Sequence, residues 1–201
     1  KKFTRWLKTG ELENYIALVD RFPVTVAERY PNLLLNKARL LSILGRTESV
    51  AKILHLVIDL AQKSKDRDQL GCVYSELAHY HQMRLEMDRV KYCLDRAVRY
   101  GSPNNKKLQV SLKLSYAFYY QRRGLYKQTE DCLTQARRLM RKFRDDNMEM
   151  SVLRSTAAFH WAKFNYPKAL EIFEEMIGRI RAESISVDIS SLYSNAAMMA
   201  A

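Results

Sequence analysis

A pattern that recurs about every 40 residues constrains this chain more than any other feature of its sequence. Small residues stand at Ala38, Ala78, Ala117 and Ala157, at intervals of 40, 39 and 40 residues. Four further positions, counted from each alanine, keep mostly apolar or small residues, and the aligned block has no gap. Self-similarity at such a period predicts a repeat array, in which each unit buries its apolar surface against its neighbours.

The four further positions lie seven, twelve, sixteen and nineteen residues after each alanine. They are Gly45, Leu85, Gly124 and Phe164; Val50, Val90, Thr129 and Ala169; Leu54, Leu94, Leu133 and Phe173; and Val57, Ala97, Ala136 and Met176. Paired helices approach to about 8–10 Å only where the crossing point carries a small side chain. The alanines are therefore predicted at helix crossings, and the larger apolar residues are predicted to fill the space between units.

Each unit is predicted to contain two helices. Apolar residues three and four apart predict one helix over 31–44 and a second over 48–63 in the first unit. The stretch 101–105 predicts a turn, and Gly178 falls inside a predicted helix, which it should weaken by about 1 kcal/mol. Only six glycines and four prolines are present, too few for the turns of an all-β fold. The sequence therefore predicts an all-α fold.

The array is predicted to span the whole chain. Its divisions are a half repeat over 1–30, repeats over 31–70, 71–109, 110–149 and 150–189, and a half repeat over 190–201. Gly10, Tyr15, Val19 and Phe22 match the second half of a unit, and Ala197 lies 40 residues after Ala157. A segment of a longer solenoid is expected to begin and end inside repeats in this way.

Residues that carry catalysis or bind metals are sparse. No phosphate-binding loop or nucleophile motif is present. His79 and His81 lie two apart, about 200° around a helix, so one is predicted to pack and the other to face solvent or a groove. The dispersed Cys72, Cys93 and Cys132 predict reduced, buried thiols rather than disulfides. We therefore expect no enzyme activity, no cofactor and no metal site.

The cysteine pattern suits a reducing cytosol, and the net charge favours anionic partners. No run of about 18 apolar residues is present, so no membrane span is expected. The net charge is +12, and basic residues cluster at Arg137, Arg138, Arg141, Lys142 and Arg144. A solvated face is the favoured interpretation of this cluster. A contact for an acidic domain or for a DNA backbone is the alternative, although direct nucleic-acid binding is not favoured.

The columns resemble those of tetratricopeptide repeats. The small, glycine, tyrosine, apolar and alanine columns of that family are matched by Ala117, Gly124, Tyr126, Leu133 and Ala136. The period of 40 residues exceeds the usual 34, so both helices are extended by about a turn. The resemblance covers essentially the whole chain and implies a right-handed superhelix, or solenoid, of antiparallel helix pairs whose first helices line the concave face.

A narrower resemblance lies near the start of the chain. It is carried by residues 6–12 (Trp6-Leu7-Lys8-Thr9-Gly10-Glu11-Leu12), 22–23, 30–33, 38–41 and 44–46. These residues resemble the superhelical sensor domain of MalT-type regulators, the ATP-dependent members of the LuxR family. The resemblance implies transcription regulation by signal sensing in a bacterial cytoplasm. It also implies neighbouring ATPase and helix-turn-helix domains in the full-length protein.

The concave face that the tetratricopeptide resemblance implies provides the candidate binding site. Its exposed positions are Arg39, Ser42, Ser75, His79, Gln82, Phe118, Gln121, Arg122, Arg154, Ala158 and Trp161. They combine aromatic area with amide, hydroxyl and guanidinium groups, a mixture typical of small-molecule and peptide sites. Tyr116 and Tyr120 are predicted to face the paired helix, opposite Phe118.

Two functions follow from these observations. The first is the sensor segment of a transcriptional regulator, in which a small-molecule or peptide effector binds the groove and shifts the packing of the array. The second is a protein-interaction scaffold that holds a peptide or a protein partner and has no transcriptional role. The presence or absence of flanking nucleotide-binding and helix-turn-helix domains would distinguish the two.

Overall fold

A computed structural model describes residues 12–143 and 145–183, and within those ranges it is helical and contains no strand. The predicted all-α fold is confirmed. The predicted half repeat 190–201 with Ala197, most of the 6–12 motif, and Arg144 of the basic cluster lie outside the described residues. The chain divides into two compact units, residues 1–108 and residues 109–201.

The first unit is a succession of adjacent helices. They are α1 (Leu12–Asp20), α2 (Val24–Arg29), α3 (Pro31–Ile43), a 3₁₀ turn (Thr47–Ser49), α4 (Val50–Lys63), α5 (Arg67–Met83) and α6 (Met87–Tyr100). Helix α3 packs against α1, α2 and α4, α4 packs against α5, and α5 packs against α6. Each helix therefore buries its apolar face against the helices next to it in the chain.

The second unit continues this arrangement. The chain enters it through α7 (Lys106–Arg122), which is followed by α8 (Tyr126–Met140), α9 (Asp146–Ala162) and α10 (Tyr166–Glu183). Helix α9 packs against both α8 and α10. The carboxylate of Asp145 begins α9 by accepting a hydrogen bond from the Met148 N–H at 3.0 Å, which satisfies one of the unpaired donors at a helix start.

Helix boundaries agree with the prediction to within two residues in the first repeat. Helix α3 begins at Pro31, whose missing N–H costs nothing at the first helical position. The turn predicted over 101–105 separates α6 from α7, and Gly178 lies inside α10. The short α2 was not predicted, because six residues after Pro23 are too few to show a helical period.

The repeated columns are buried in both units. The four alanines are at most 2% exposed, and the columns twelve, sixteen and nineteen residues further on are at most 5% exposed. Thr129 is the polar member, and its hydroxyl donates to the Leu125 carbonyl at 3.0 Å. The burial predicted for these columns is confirmed, and it places their side chains in the apolar core of each unit.

The column seven residues after each alanine does not belong to the core. Its members adopt φ values of +71°, +57°, +71° and +58° in chain order and are Gly45, Leu85, Gly124 and Phe164. At Leu85 the N–H donates to the Gln82 carbonyl, and the N–H of Glu86 donates to the His81 carbonyl, both at 3.0 Å. This is the Schellman turn that ends a helix. Leu85 and Phe164 are exposed here, so the prediction that they fill space between units is wrong.

Replacing Leu85 with glycine is therefore expected to stabilise the protein. Leu85 is exposed and holds a left-handed conformation that costs a residue with a Cβ about 1 kcal/mol or more. After the greater backbone entropy of unfolded glycine is subtracted, Leu85→Gly should raise the free energy of unfolding by about 0.5–1 kcal/mol. Urea denaturation of the variant and the parent measures the difference.

Gly45→Ala is the matched control. A Cβ at Gly45 would meet nothing within 4 Å, and its φ is +71°, so only backbone strain changes. This variant should lose about 1 kcal/mol. Changes of the same sign in the two variants would contradict the explanation.

Candidate functional site

The second unit contains a cavity of about 510 Å³ between one face of α7 and one face of α9. Its lining includes four residues of the predicted concave face together with Ala158. The described residues that line it are Leu114, Ala117, Phe118, Gln121, Arg122, Ser155, Ala158, Trp161, Ala162 and Phe173. A cavity of this volume lies in the range of small-molecule sites.

Helical spacing explains why these side chains share the cavity. Leu114, Phe118 and Gln121 are four and three residues apart on α7, a spacing that places side chains on one face of a helix. The opposite face of α7 carries Tyr116 and Tyr120, whose rings stack at 5.9 Å and pack against the core shared with α8. The predicted separation of these tyrosines from Phe118 is confirmed.

A hydrogen bond, a cation–π contact and an aromatic contact hold side chains of the cavity wall in place. The side-chain amide of Gln121 donates to the Ala158 carbonyl at 3.4 Å, which links α7 to α9. The guanidinium of Arg122 lies 5.4 Å from the centre of the Phe118 ring, a cation–π contact. The Trp161 ring meets Tyr166 edge-on with centroids 5.3 Å apart. Phe118 and Trp161 are therefore each held by a neighbouring side chain.

The predicted residues of the first unit do not form an open site. Arg39 is held by Glu76, with Nη2 2.6 Å and Nε 2.8 Å from Oε1. Burial lowers the pKa of Arg39, but the Glu76 carboxylate outweighs it, so the pKa is raised above its ordinary value. The Ser42 hydroxyl donates to the Ala38 carbonyl at 3.0 Å, inside its own helix.

Ser75 and Gln82 are buried, so the prediction that they lie on an open face is wrong. The physical reason is that α5 packs against α4 on one side and α6 on the other, which leaves only a narrow exposed strip. His79 lies on that strip and its Nδ1 is 3.4 Å from the Gln82 Oε1.

The two histidines of α5 divide as predicted, with His79 exposed and His81 buried. The Nδ1 of His81 lies 2.6 Å from a carboxylate oxygen of Glu86. Burial nonetheless lowers the pKa of His81, since it outweighs the effect of Glu86. The hydrogen bonds from Arg84 and His81 hold the pKa of Glu86 at about 2. These groups stabilise the end of α5, at its turn into α6.

Arg154 does not line the cavity, although the sequence placed it beside Ala158 and Trp161. It lies one turn before Ala158 on α9, and its side chain is exposed. Three lining residues that were not predicted, Leu114, Ser155 and Ala162, lie three or four residues from predicted ones. Helical periodicity was therefore sufficient to find them. Phe173 comes from a third helix, α10, and no helical spacing links it to the predicted residues.

A second groove of about 540 Å³ lies between α8, α9 and α10. Its walls carry charges of both signs that are largely paired with each other. Arg179 contacts Glu149 at 2.6 Å and Glu175 at 2.8 Å, and Lys168 contacts Glu171 at 2.6 Å. Two members of the basic cluster, Arg137 and Arg141, are exposed and border this groove.

Neither metal ligation nor thiol chemistry is indicated in the described part of the chain. No group of three His, Cys, Asp or Glu side chains within it is placed to hold a metal ion. Cys93 and Cys132 are buried, and burial raises both thiol pKa values, that of Cys93 to about 11. Both thiols are therefore protonated at neutral pH. Over the same residues, no helix has the length and apolarity needed to cross a bilayer.

Comparison with protein-family models, with curated proteins and with solved structures found no match to this chain.

Proposed function

We propose that this protein is a non-enzymatic recognition domain that binds its ligand in the cavity between α7 and α9. The observation that carries the proposal is the lining, where Phe118 and Trp161 supply aromatic area and Gln121 and Arg122 supply fixed polar groups. Apolar walls with a few oriented polar groups are the usual composition of a ligand site.

The lining favours binding over catalysis. An active site needs a nucleophile or a metal beside a base that can accept a proton. Among the described residues of the lining, the polar groups are an amide, a guanidinium, one hydroxyl and an indole N–H. None of these is a base at neutral pH, because an arginine remains protonated and an amide does not titrate.

The regulatory form of the proposal adds an architecture and a cellular role. Successive helix pairs would stack as a right-handed superhelix, and the chain would serve as the sensor segment of a bacterial transcriptional regulator in the cytoplasm. Effector binding would shift the population between two packings of the array, provided that the effector prefers one of them. The sequence resemblance to the sensor domain of MalT-type regulators supports this form.

A protein-binding scaffold is the second candidate, and exposed aromatic residues beside the cavity favour it. Trp161 contacts Tyr166, and Tyr166 contacts Phe164 with ring centroids 6.2 Å apart. Phe164 is 78% exposed. A continuous aromatic path thus leads from the cavity to solvent, as an anchor for a partner would. Finding both an ATPase and a helix-turn-helix in the flanking reading frame would favour the regulator over the scaffold.

Filling the cavity tests the proposal directly. Ala158 is exposed on the cavity wall, so Ala158→Trp should occupy the space without disturbing the core. We expect it to weaken binding of the neutral fluorophore N-phenyl-1-naphthylamine, and of its sulfonated analogue anilinonaphthalene sulfonate, by at least tenfold. Fluorescence titration measures both affinities.

Thr134→Trp is the matched control for that experiment. Thr134 is exposed on α8 and borders neither cavity, so its replacement adds the same bulk elsewhere in the unit. Binding in this variant should equal that of the parent. If Ala158→Trp binds both fluorophores as tightly as Thr134→Trp does, the cavity is not the binding site and the proposed function is wrong.

A further inference from the structure

We propose that the cavity between α7 and α9 selects a small organic anion, a molecule with an apolar or aromatic body and one negatively charged group. The inference rests on the proposed function and specifies the class of its ligand. Four features of the cavity carry it: the charge of its lining, the position of Arg122, the hydrogen-bonding capacity of Trp161, and the volume.

The charge of the lining is unbalanced. Arg122 is its one cation, and none of the described residues around the cavity is acidic. No carboxylate in the described ranges forms an ion pair with Arg122, which contacts the Phe118 ring. Arg39 and Arg179, in contrast, each contact a glutamate at 2.6 Å. An anionic group on the ligand would supply the missing partner.

The position of Arg122 suits an anion. The guanidinium carbon of Arg122 lies over the Phe118 ring, 5.4 Å from its centroid. A cation–π contact uses no hydrogen-bond acceptor, so the N–H groups of the guanidinium can still donate. Two of them form a fork that matches the two oxygens of a carboxylate or sulfonate. The ring therefore holds the guanidinium in place at the cavity without consuming its donors.

Trp161 adds a second donor. Its indole N–H has no hydrogen-bond partner among the residues that the structure describes, and an indole can only donate. The amide of Gln121, in contrast, already donates to the Ala158 carbonyl. Within the described part of the chain, no acceptor engages the Arg122 guanidinium or the Trp161 N–H, so the ligand should bring acceptors. The groove between α8, α9 and α10 differs, because three glutamates line it and each contacts a cation.

The volume favours a small molecule over a macromolecule. About 510 Å³ accommodates a compound of drug size. Leu114, Phe118, Trp161 and Phe173 provide apolar and aromatic surface for its body. A hydrophobic anion would contact the apolar walls and accept from the Arg122 guanidinium, whereas a neutral apolar molecule would contact the walls alone.

The test compares two fluorophores that differ in one charged group. Anilinonaphthalene sulfonate carries a sulfonate, and N-phenyl-1-naphthylamine has the same ring system without it. Arg122→Gln should weaken binding of the sulfonate at least tenfold, because losing a hydrogen bond to a charged group usually has an effect of this size. It should change the affinity of the neutral compound less than twofold. Arg122→Lys keeps the positive charge but loses the two-pronged donor geometry of the guanidinium. Its affinity for the sulfonate should lie between those of the parent and Arg122→Gln.

Arg138→Gln is the control for charge alone. Arg138 is exposed on α8 and borders neither cavity. Its replacement should leave both affinities within twofold of the parent, and circular dichroism should show unchanged helicity in every variant. An equal effect of Arg122→Gln on both fluorophores, or no effect on either, overturns the ligand class. If Ala158→Trp nevertheless loses binding of both fluorophores, the cavity is still the binding site and the proposed function stands. Failure of the ligand class can therefore be distinguished from failure of the proposed function.

Discussion

Gly71→Ala is expected to lower the free energy of unfolding by about 2–3 kcal/mol, although alanine is the better helix former. Gly71 lies in α5, where it approaches the residue that follows α6. A Cβ built on Gly71 would stand 2.4 Å from the Gly101 Cα and 2.7 Å from its backbone nitrogen. Both are backbone atoms, so the two segments must separate. That overpacking outweighs the gain of about 1 kcal/mol in helix propensity.

Gly178→Ala is the same substitution with the opposite expected sign. Gly178 lies within α10, and a Cβ there would meet nothing within 4 Å. The free energy of unfolding should therefore rise by about 1 kcal/mol. Urea denaturation of both variants measures the two changes. A Gly71→Ala protein as stable as the parent would show that α5 and the end of α6 do not approach this closely.

Ala157→Leu is expected to cost about 3 kcal/mol. Ala157 is fully buried where α9 crosses α10, in a cluster with Met150, Leu153, Phe173 and Met176. Three further carbon atoms cannot enter a close-packed cluster unless neighbouring side chains leave their preferred rotamers. The same reasoning predicted small residues at helix crossings from the sequence.

Ala158→Leu separates this effect from a general intolerance of leucine in α9. Ala158 is the next residue, but it faces the cavity and is exposed. Its replacement should change stability by less than about 0.5 kcal/mol, because the added atoms enter empty space. Thermal and urea denaturation of the pair provide the comparison. Equal losses in the two variants would contradict the separation of a core face from a cavity face.

The core was predictable from the sequence because its signal is repeated. Ala38, Ala78, Ala117 and Ala157 each meet the same steric requirement at a helix crossing, so four observations support one inference. The Schellman turns were not recognised, because Leu85 and Phe164 occupy a position that glycine usually fills. Apolar residues at that position resemble core residues in sequence, although the backbone there turns and leaves them exposed.

The candidate site was predictable where a single helix face determines it. Phe118, Gln121 and Arg122 lie at helical spacing on one face of α7, and Ala158 and Trp161 lie at helical spacing on one face of α9. Ser75 and Gln82 were misplaced because burial depends on how many helices pack against α5, and one helix's periodicity does not specify that number. The ion pair of Arg39 with Glu76 joins residues 37 positions apart, so no local pattern marks it.

Adjacent positions on α9 serve core stability and ligand specificity separately, two requirements that often conflict in proteins. Ala157 contributes to the core, whereas Ala158 and Trp161 contribute to the cavity, so a substitution on one face leaves the other intact. Most proteins lie close to a stability threshold, and changes that alter specificity often cross it. Here evolution could explore new ligands along 155, 158, 161 and 162 at little cost to folding. Directed selection at those four positions could use the same freedom.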